Sequence, residues 1–329
     1  MSKRRLNYQI KGWHYYLLVF FLGIIPLFYQ LGNPVLTLWD ESRRAVNAYE
    51  MYDKGNLLVT HFNGEPDMWG TKPPLLIWLQ SLSMHIFGVN EWAIRFPAAL
   101  AGLLLGFLLL WFSRRYTESY LWGFISVLIL YTSVGYINLH SVRTGDFDSL
   151  LVLFTTAASF LLFLAAEEIE RKKKNRLIIL FFIFLSLAAL TKSIVAFIMA
   201  PAYLVFLIYR KELSAWFRNK NFYLGMFILV VLVGGFYFLR NVLNPGYIEA
   251  VIENEITGRY LDTLEQNKKP FHYYFSMLYR YGFKDWFYLV PIGIFLAYLG
   301  RNIKNKRLIT YLILLTLSFL LVISISETK

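Results

Sequence analysis

The amino-acid sequence predicts an all-α protein that crosses a membrane many times, and three observations carry that prediction. Of its 329 residues, 57% are hydrophobic and only 16% are charged, whereas a soluble domain holds about 45–50% apolar and about 25% charged residues. The apolar residues fall in separate blocks, most of them near the roughly 20 residues a helix needs to traverse hydrocarbon. Lys and Arg gather in alternate connecting segments, the charge asymmetry of a polytopic membrane protein.

The blocks lie near residues 13–31, 93–112, 120–139, 149–166, 177–190, 194–209, 222–240, 286–300 and 308–325, which gives about nine transmembrane helices. Those at 177–190 and 194–209 are short for a full crossing. The first is longer than a signal-peptide core and no small-residue cleavage site follows it, so it reads as a retained signal anchor. With Lys3, Arg4, Arg5 and Lys11 on the cytoplasmic side, the inside segments hold 19 of the 33 basic residues and 5 of the 21 acidic ones. That is +14 inside and −2 outside, so the net charge of +12 follows from topology and needs no nucleic acid partner. Aromatic residues reach 19%, with many Trp and Tyr at block ends, as anchoring at the headgroups requires. The chain has no cysteine, which excludes disulfides and thiolate metal sites.

Two outside segments, 32–92 and 241–285, are much longer than the basic inside loops and are rich in Asp, Glu, Tyr and Trp. Long loops on one face of a rigid scaffold are where chemistry is usually placed. Asp40 to Lys54 reads as an amphipathic helix with Ala45, Val46, Ala48, Tyr49 and Tyr52 toward lipid or protein, stopped by Gly55. A second helix starts after Pro73-Pro74, runs Leu75 to Phe87 and ends at Gly88. Its stripe of Leu75, Leu76, Leu79, Leu82 and Ile86 is too short to span, so it is expected to lie along the outer leaflet. No internal repeat is evident.

Three charged clusters stand at the outer helix ends: Trp39-Asp40-Glu41-Ser42-Arg43-Arg44, Thr71-Lys72-Pro73-Pro74, and Arg143-Thr144-Gly145-Asp146-Phe147-Asp148. A charge at the membrane centre costs about 2.5–3.5 kcal/mol on insertion scales, so these groups belong at the interface or in a wet cavity. Each also has an architectural reading. Asp40 with Arg43 makes a helix start, Asp146 and Asp148 can cap the helix expected from Ser149, and Lys192 can mark the outer turn of a helical hairpin. The cytoplasmic run Arg171 to Arg176 reads as a topogenic and lipid-headgroup patch.

Asp40-Glu41-Ser42-Arg43, the Lys72-Pro73-Pro74 turn and Arg95-Phe96-Pro97 together resemble the GT-C membrane glycosyltransferases, in the branch of aminoarabinose and dolichyl-phosphate-mannose–protein mannosyltransferases. The Arg143 to Asp148 loop, Leu190-Thr191-Lys192, and Arg259-Tyr260 followed by Pro270 to Tyr274 extend the resemblance from about residue 13 to the C-terminus. It implies one GT-C-like catalytic module over 1–329. It also implies transfer of a sugar, with inversion, from a polyprenyl-phosphate carrier to a lipid, glycan or protein acceptor. The protein would sit among membrane lipids in a bacterial inner membrane, its site facing the periplasm. By position the resemblance makes Asp40 the general base, with Asp148 and Asp146 orienting Lys72 or Arg43 or touching sugar. Lys72, Arg259, Lys192 and Arg43 fall where the carrier phosphate would be held. The helix Leu75 to Phe87 would border a groove for the isoprenoid tail.

The resemblance also has departures. The aminoarabinose branch carries a glutamate before the Lys-Pro pair and a histidine before the later Arg-aromatic pair, together suited to a metal. This chain has Thr71 and Asn254 there, which weakens the case for a divalent metal while leaving it open. His61, His140 and His272 lack close ligand spacing and read as interface residues. Family members usually continue with more helices, so the chain is expected either to be a short variant or to lack a C-terminal part on which acceptor recognition would draw. The rival reading, a transporter or flippase of polyprenyl lipids, expects broken helices, charges near the bilayer midplane and related halves.

Overall fold

The computed structural model describes residues 11–137, 141–261, 270–299 and 302–325, without the side chains of 256, 258–261, 285, 297 and 303. Every apolar block of the sequence is helical over most of its described residues. The helices include α1 (Gly12–Phe28), α2 (Asp40–Lys54), α3 (Leu75–Phe87), α4 (Glu91–Thr117), α5 (Tyr120–Thr132), α6 (Val134–Ile137), α7 (Asp148–Glu167), α8 (Arg171–Lys192) and α9 (Ala200–Tyr209), and further on Lys220–Leu243, Leu289–Leu299 and Ile303–Ile325. Among the described residues, five helical stretches are long and apolar enough to cross a membrane: Glu91–Thr117, Asp148–Glu167, Arg171–Phe197, Lys220–Leu243 and Lys304–Ile325. The block at 177–190 extends through its basic flank to a full crossing length, while α1, α5 and α9 stay shorter.

The innermost helix is α7, with 83% of its apolar window buried. Ala157, Ala158, Ala165 and Ala166 give it a close approach to α4 and α8, since small side chains are how membrane helices pack tightly. Around it Phe112, Phe160, Phe163, Phe206 and Tyr311 stack into one aromatic core. Lys220–Leu243 and Lys304–Ile325 bury only 11% and 17% of their windows, so their apolar faces point outward, as lipid permits.

The predicted cytoplasmic segments meet at one end of the bundle. Glu167 pairs with Arg210 (2.8 Å) and Arg307 (3.1 Å), Arg115 with Glu168 (3.6 Å), and Lys174 with Glu212 (2.6 Å).

The first long loop folds over the opposite end. Gly55 stops α2 with φ +71°, donating its N–H to the Met51 carbonyl, and Gly88 ends α3 at φ +79°. Between the two helices stands a two-strand hairpin that the sequence reading did not anticipate. Strand β1 (His61–Phe62) pairs antiparallel with β2 (Glu65–Pro66) across Asn63-Gly64. Both turn residues take positive φ, +55° and +86°, as Asn-Gly does in the tightest hairpin turns. The α3 stripe divides: Leu76 is buried, whereas Leu82 and Ile86 are open.

Candidate active site

The site is assembled from segments far apart in sequence, and a buried ion pair joins them. Glu41 on α2 is 1% exposed, and Arg95 in α4 meets it edge-on, Nε to Oε1 at 2.7 Å and Nη2 to Oε2 at 2.9 Å. Arg95 also donates to the carbonyls of Leu31, Pro34 and Val35, which turns the chain leaving α1 back toward α2. Glu41 accepts further from Thr37 N–H, from Thr37 Oγ1 and, at 2.8 Å, from Gly145 N–H. Gly145 is required there, because a Cβ would sit 2.6 Å from Ile94 and 2.9 Å from Gln80. One carboxylate thus fixes α2, α4 and the 141–147 loop together, all against burial that would otherwise expel it.

Asp67, which the sequence reading did not single out, is a second such centre. Its side chain is fully buried and takes hydrogen bonds from Arg43, Asn47 and the N–H groups of Trp69 and Gly70. Burial pushes the carboxyls of Glu41 and Asp67 up. The donors outweigh it, Arg95, Thr37 and Gly145 for Glu41, Arg43 and Asn47 for Asp67, so both lie below their ordinary values of 4.5 and 3.8. A lowered folded-state pKa stabilises the fold above the unfolded value and stops doing so as pH falls through the folded one. Thermal stability in detergent is therefore expected to be level from pH 7 to 5 and to drop only below the ordinary carboxylate range. Glu41→Gln should flatten that acid limb; an unchanged limb would contradict the assignment.

Between these centres lies a cavity of about 70 Å³, lined by Asp40, Arg43, Arg44 and Asn47 of α2, Thr60, Trp69 to Lys72 of the loop, Ile77 of α3, Phe147 and Asn254. Asp40 opens α2 directly after Trp39, whose backbone is held at φ +71°. Its carboxylate is 56% exposed and pairs with Arg44 at 3.0 Å. Arg44 also reaches Asp146 at 3.4 Å and lies 4.5 Å over the Phe147 ring. Lys72 pairs with the buried Glu255 at 3.2 Å, and Glu255 accepts from the Thr71 hydroxyl at 2.6 Å.

Asp40, Arg43 and Lys72, three of the sequence-derived candidates, line this one cavity, and Asp146 adjoins it through Arg44. Finer details differ from the sequence reading: among the described residues, Asp148 pairs with Lys192 and Asp146 with Arg44. The helix after the loop starts at Asp148, and the partner of Asp40 within α2 is Arg44, one turn on. Lys192 ends α8 and is not among the lining residues. Arg259 lies on the helical stretch Ile252–Leu261, with its side chain outside the described residues, and His140 is outside them altogether. Arg143 closes the end of α1, donating to the carbonyls of Pro26 and Tyr29 at 2.9 Å each. Asp67 and Glu255 have no motif around them; only their burial beside Arg43 and Lys72 identifies them. The hairpin turn Asn63-Gly64 was the available signal that the loop folds back on α2.

The donor set does not suit a divalent metal. Thr71 and Asn254 offer neutral groups, the Thr71 hydroxyl donates to Glu255, and Asn254 Nδ2 donates to the Ala250 carbonyl at 3.0 Å. Among the described residues no three His, Cys, Asp or Glu side chains converge.

A separate groove of about 300 Å³ runs along α3, lined almost wholly by apolar side chains, with Leu79, Leu82 and Ile86 facing Phe96, Leu100 and Leu104 of α4 and Leu150, Leu153 and Phe154 of α7.

Residues 71–237 match the family described as dolichyl-phosphate-mannose-protein mannosyltransferase. The chain is similar to the undecaprenyl phosphate-alpha-4-amino-4-deoxy-L-arabinose arabinosyl transferase of Aeromonas salmonicida, 28% identical over 92% of this chain and 54% of that protein. It therefore spans about half the length of the curated relatives it matches. In fold it is similar to ArnT from Cupriavidus metallidurans, solved bound to undecaprenyl phosphate, with a TM-score of 0.80 at 19% identity over 98% of this chain and 57% of that one. A likeness extends to the Saccharomyces cerevisiae protein O-mannosyltransferase Pmt1-Pmt2 complex bound to the sugar donor, TM-score 0.51 at 16% identity over 75% of this chain and 35% of that one.

Proposed function

We propose, on the premise that this chain belongs to the dolichyl-phosphate-mannose-protein mannosyltransferase family, that it transfers a sugar from a polyprenyl-phosphate carrier to an extracytoplasmic acceptor. The acceptor is a lipid, a glycan or a protein, and the site faces the periplasm from a bacterial inner membrane. One observation carries the reading. Asp40 and Lys72 line the same polar cavity with Arg43 and Arg44, and α3, which contributes Ile77 to that cavity, contributes Leu79, Leu82 and Ile86 to an apolar groove.

The chemistry follows from that arrangement. The acceptor oxygen attacks the anomeric carbon as the bond from that carbon to the phosphate oxygen breaks, and the acceptor proton passes to Asp40. The ion pair to Arg44 holds Asp40 toward the cavity. Charge that collects on the departing polyprenyl phosphate is met by Lys72 and Arg43, and cations fixed in advance where charge develops lower the barrier. Arg259 and Lys192 are assigned to the same phosphate region, with Asp148 and Asp146 as the carboxylates that fix Lys192 and Arg44. A single displacement of this kind inverts the anomeric carbon. The resemblance in fold to ArnT bound to undecaprenyl phosphate supports a carrier of that chemistry.

The test is purified protein in liposomes with a labelled polyprenyl-phosphate sugar. The expected result is release or transfer of the sugar. Movement of intact lipid with the sugar–phosphate bond unbroken would overturn the proposal. The groove adds its own expectation, since burying a leucine is worth about 1.5–3 kcal/mol. Leu82→Gln should raise KM for a full-length carrier by about tenfold and leave KM for a short, water-soluble prenyl phosphate sugar unchanged. Equal effects on both would show that the tail does not lie there.

A further inference from the structure

We propose that Asp67 is a positioning residue, which sets the Arg43 guanidinium so that one of its nitrogens is presented to the carrier phosphate. The proposal rests on the glycosyltransferase reading and goes beyond it, because Asp67 belongs to none of the motifs that suggested that reading. Asp67 Oδ1 accepts from Arg43 Nη2 at 2.5 Å and Oδ2 from Arg43 Nε at 3.2 Å. This two-point fork fixes the plane and rotation of the guanidinium as well as its distance. Nη1, with two hydrogens, makes no hydrogen bond among the described residues, and Arg43 lines the cavity. The Phe62 ring, 4.3 Å from the guanidinium carbon, holds the group from the side.

Asp67 is itself rigidly held. Asn47 Nδ2 donates to Oδ2 at 3.0 Å, and the N–H groups of Trp69 and Gly70 donate to Oδ1 at 3.1 and 3.0 Å. The approach is close enough that a Cβ on Gly70 would lie 2.9 Å from Oδ2. From behind, Arg240 Nη2 donates to the Asp67 carbonyl at 3.3 Å and Tyr247 OH to the Gly70 carbonyl at 3.1 Å. The turn so fixed leads directly into Thr71 and Lys72, so the same carboxylate aligns two of the three cavity cations, Arg43 and Lys72. Two N–H groups alone would close such a turn; the fork to Arg43 also ties α2 to the loop and sets the plane of the guanidinium that lines the cavity.

The experiment measures undecaprenyl phosphate binding to the full chain in nanodiscs by native mass spectrometry. Asp67→Asn and Arg43→Ala are each expected to raise Kd by about tenfold, and the double variant by no more than either alone. Guanidinium added at millimolar concentration should restore binding to Arg43→Ala but not to the double variant, because only Asp67 can seat it. Arg43→Lys should lose as much as Arg43→Ala, since one ammonium cannot span the fork and still reach the phosphate. Wild-type affinity in Asp67→Asn, losses that multiply to about a hundredfold, or guanidinium rescue without Asp67 would each overturn the proposal. Should Asp67→Asn fail to fold, wild-type affinity in Arg43→Lys would overturn it by itself. Failure of the wild-type protein to bind undecaprenyl phosphate at all would instead remove the glycosyltransferase reading, and this inference with it.

Discussion

Asp40→Asn is expected to lower sugar transfer by about 10²–10⁴-fold, the range a positioned general base contributes, while carrier binding and thermal stability stay near wild type. Asparagine keeps the shape of the side chain and an oxygen that can accept from Arg44, so the 3.0 Å contact across one turn of α2 survives. What it cannot do is take a proton. The carboxylate is more than half exposed and is not among the buried contacts that hold the fold, so its removal leaves the Glu41 and Asp67 centres untouched. The measurement is turnover of a labelled polyprenyl-phosphate sugar beside a binding isotherm for the carrier. A loss of binding equal to the loss of turnover would mean that Asp40 positions the substrate and another group accepts the proton. Turnover within about threefold of wild type would remove Asp40 from the chemistry.

The largest effect on stability is expected from Arg95→Met. Breaking a buried ion pair by removing one partner costs about 3–5 kcal/mol, because the other charge stays buried without compensation. Here Glu41 would keep Thr37 and Gly145 as donors, while the carbonyls of Leu31, Pro34 and Val35 would lose theirs. The outcome should be a lower thermal midpoint in detergent and poor accumulation in membranes. Adding Glu41→Leu to Arg95→Met should recover part of the loss, as two apolar groups need no pairing. An effect below about 1 kcal/mol would show that the first loop is held by its helices and not by this pair.

The membrane class, the helical blocks and their flanking charges were legible because each depends on residues near in sequence. Twenty apolar residues must form a helix wherever they stand in hydrocarbon, since no other local structure satisfies the backbone there. The two loop helices were equally legible from their stops: Gly55 and Gly88 end α2 and α3 as expected. The Asn63-Gly64 hairpin was legible too, by its turn chemistry.

The site was legible only in part. Asp40, Arg43 and Lys72 could be picked out as charges at helix ends and by their resemblance to family motifs, and the structure brings these three to one cavity. Their partners could not. Arg43 finds Asp67 24 residues away, Lys72 finds Glu255 183 residues away, and Asp148 turns to Lys192.

By itself, the sequence determined that this chain is a bundle of membrane helices with its candidate site charges at helix ends. Periodicity, helix stops and charge asymmetry act over a few residues, and short-range physics writes them directly into the chain. Which carboxylate answers which cation was decided only by the tertiary structure. A buried charge must be paired with whatever opposite charge the packing brings within about 3 Å, and packing is a property of the whole bundle.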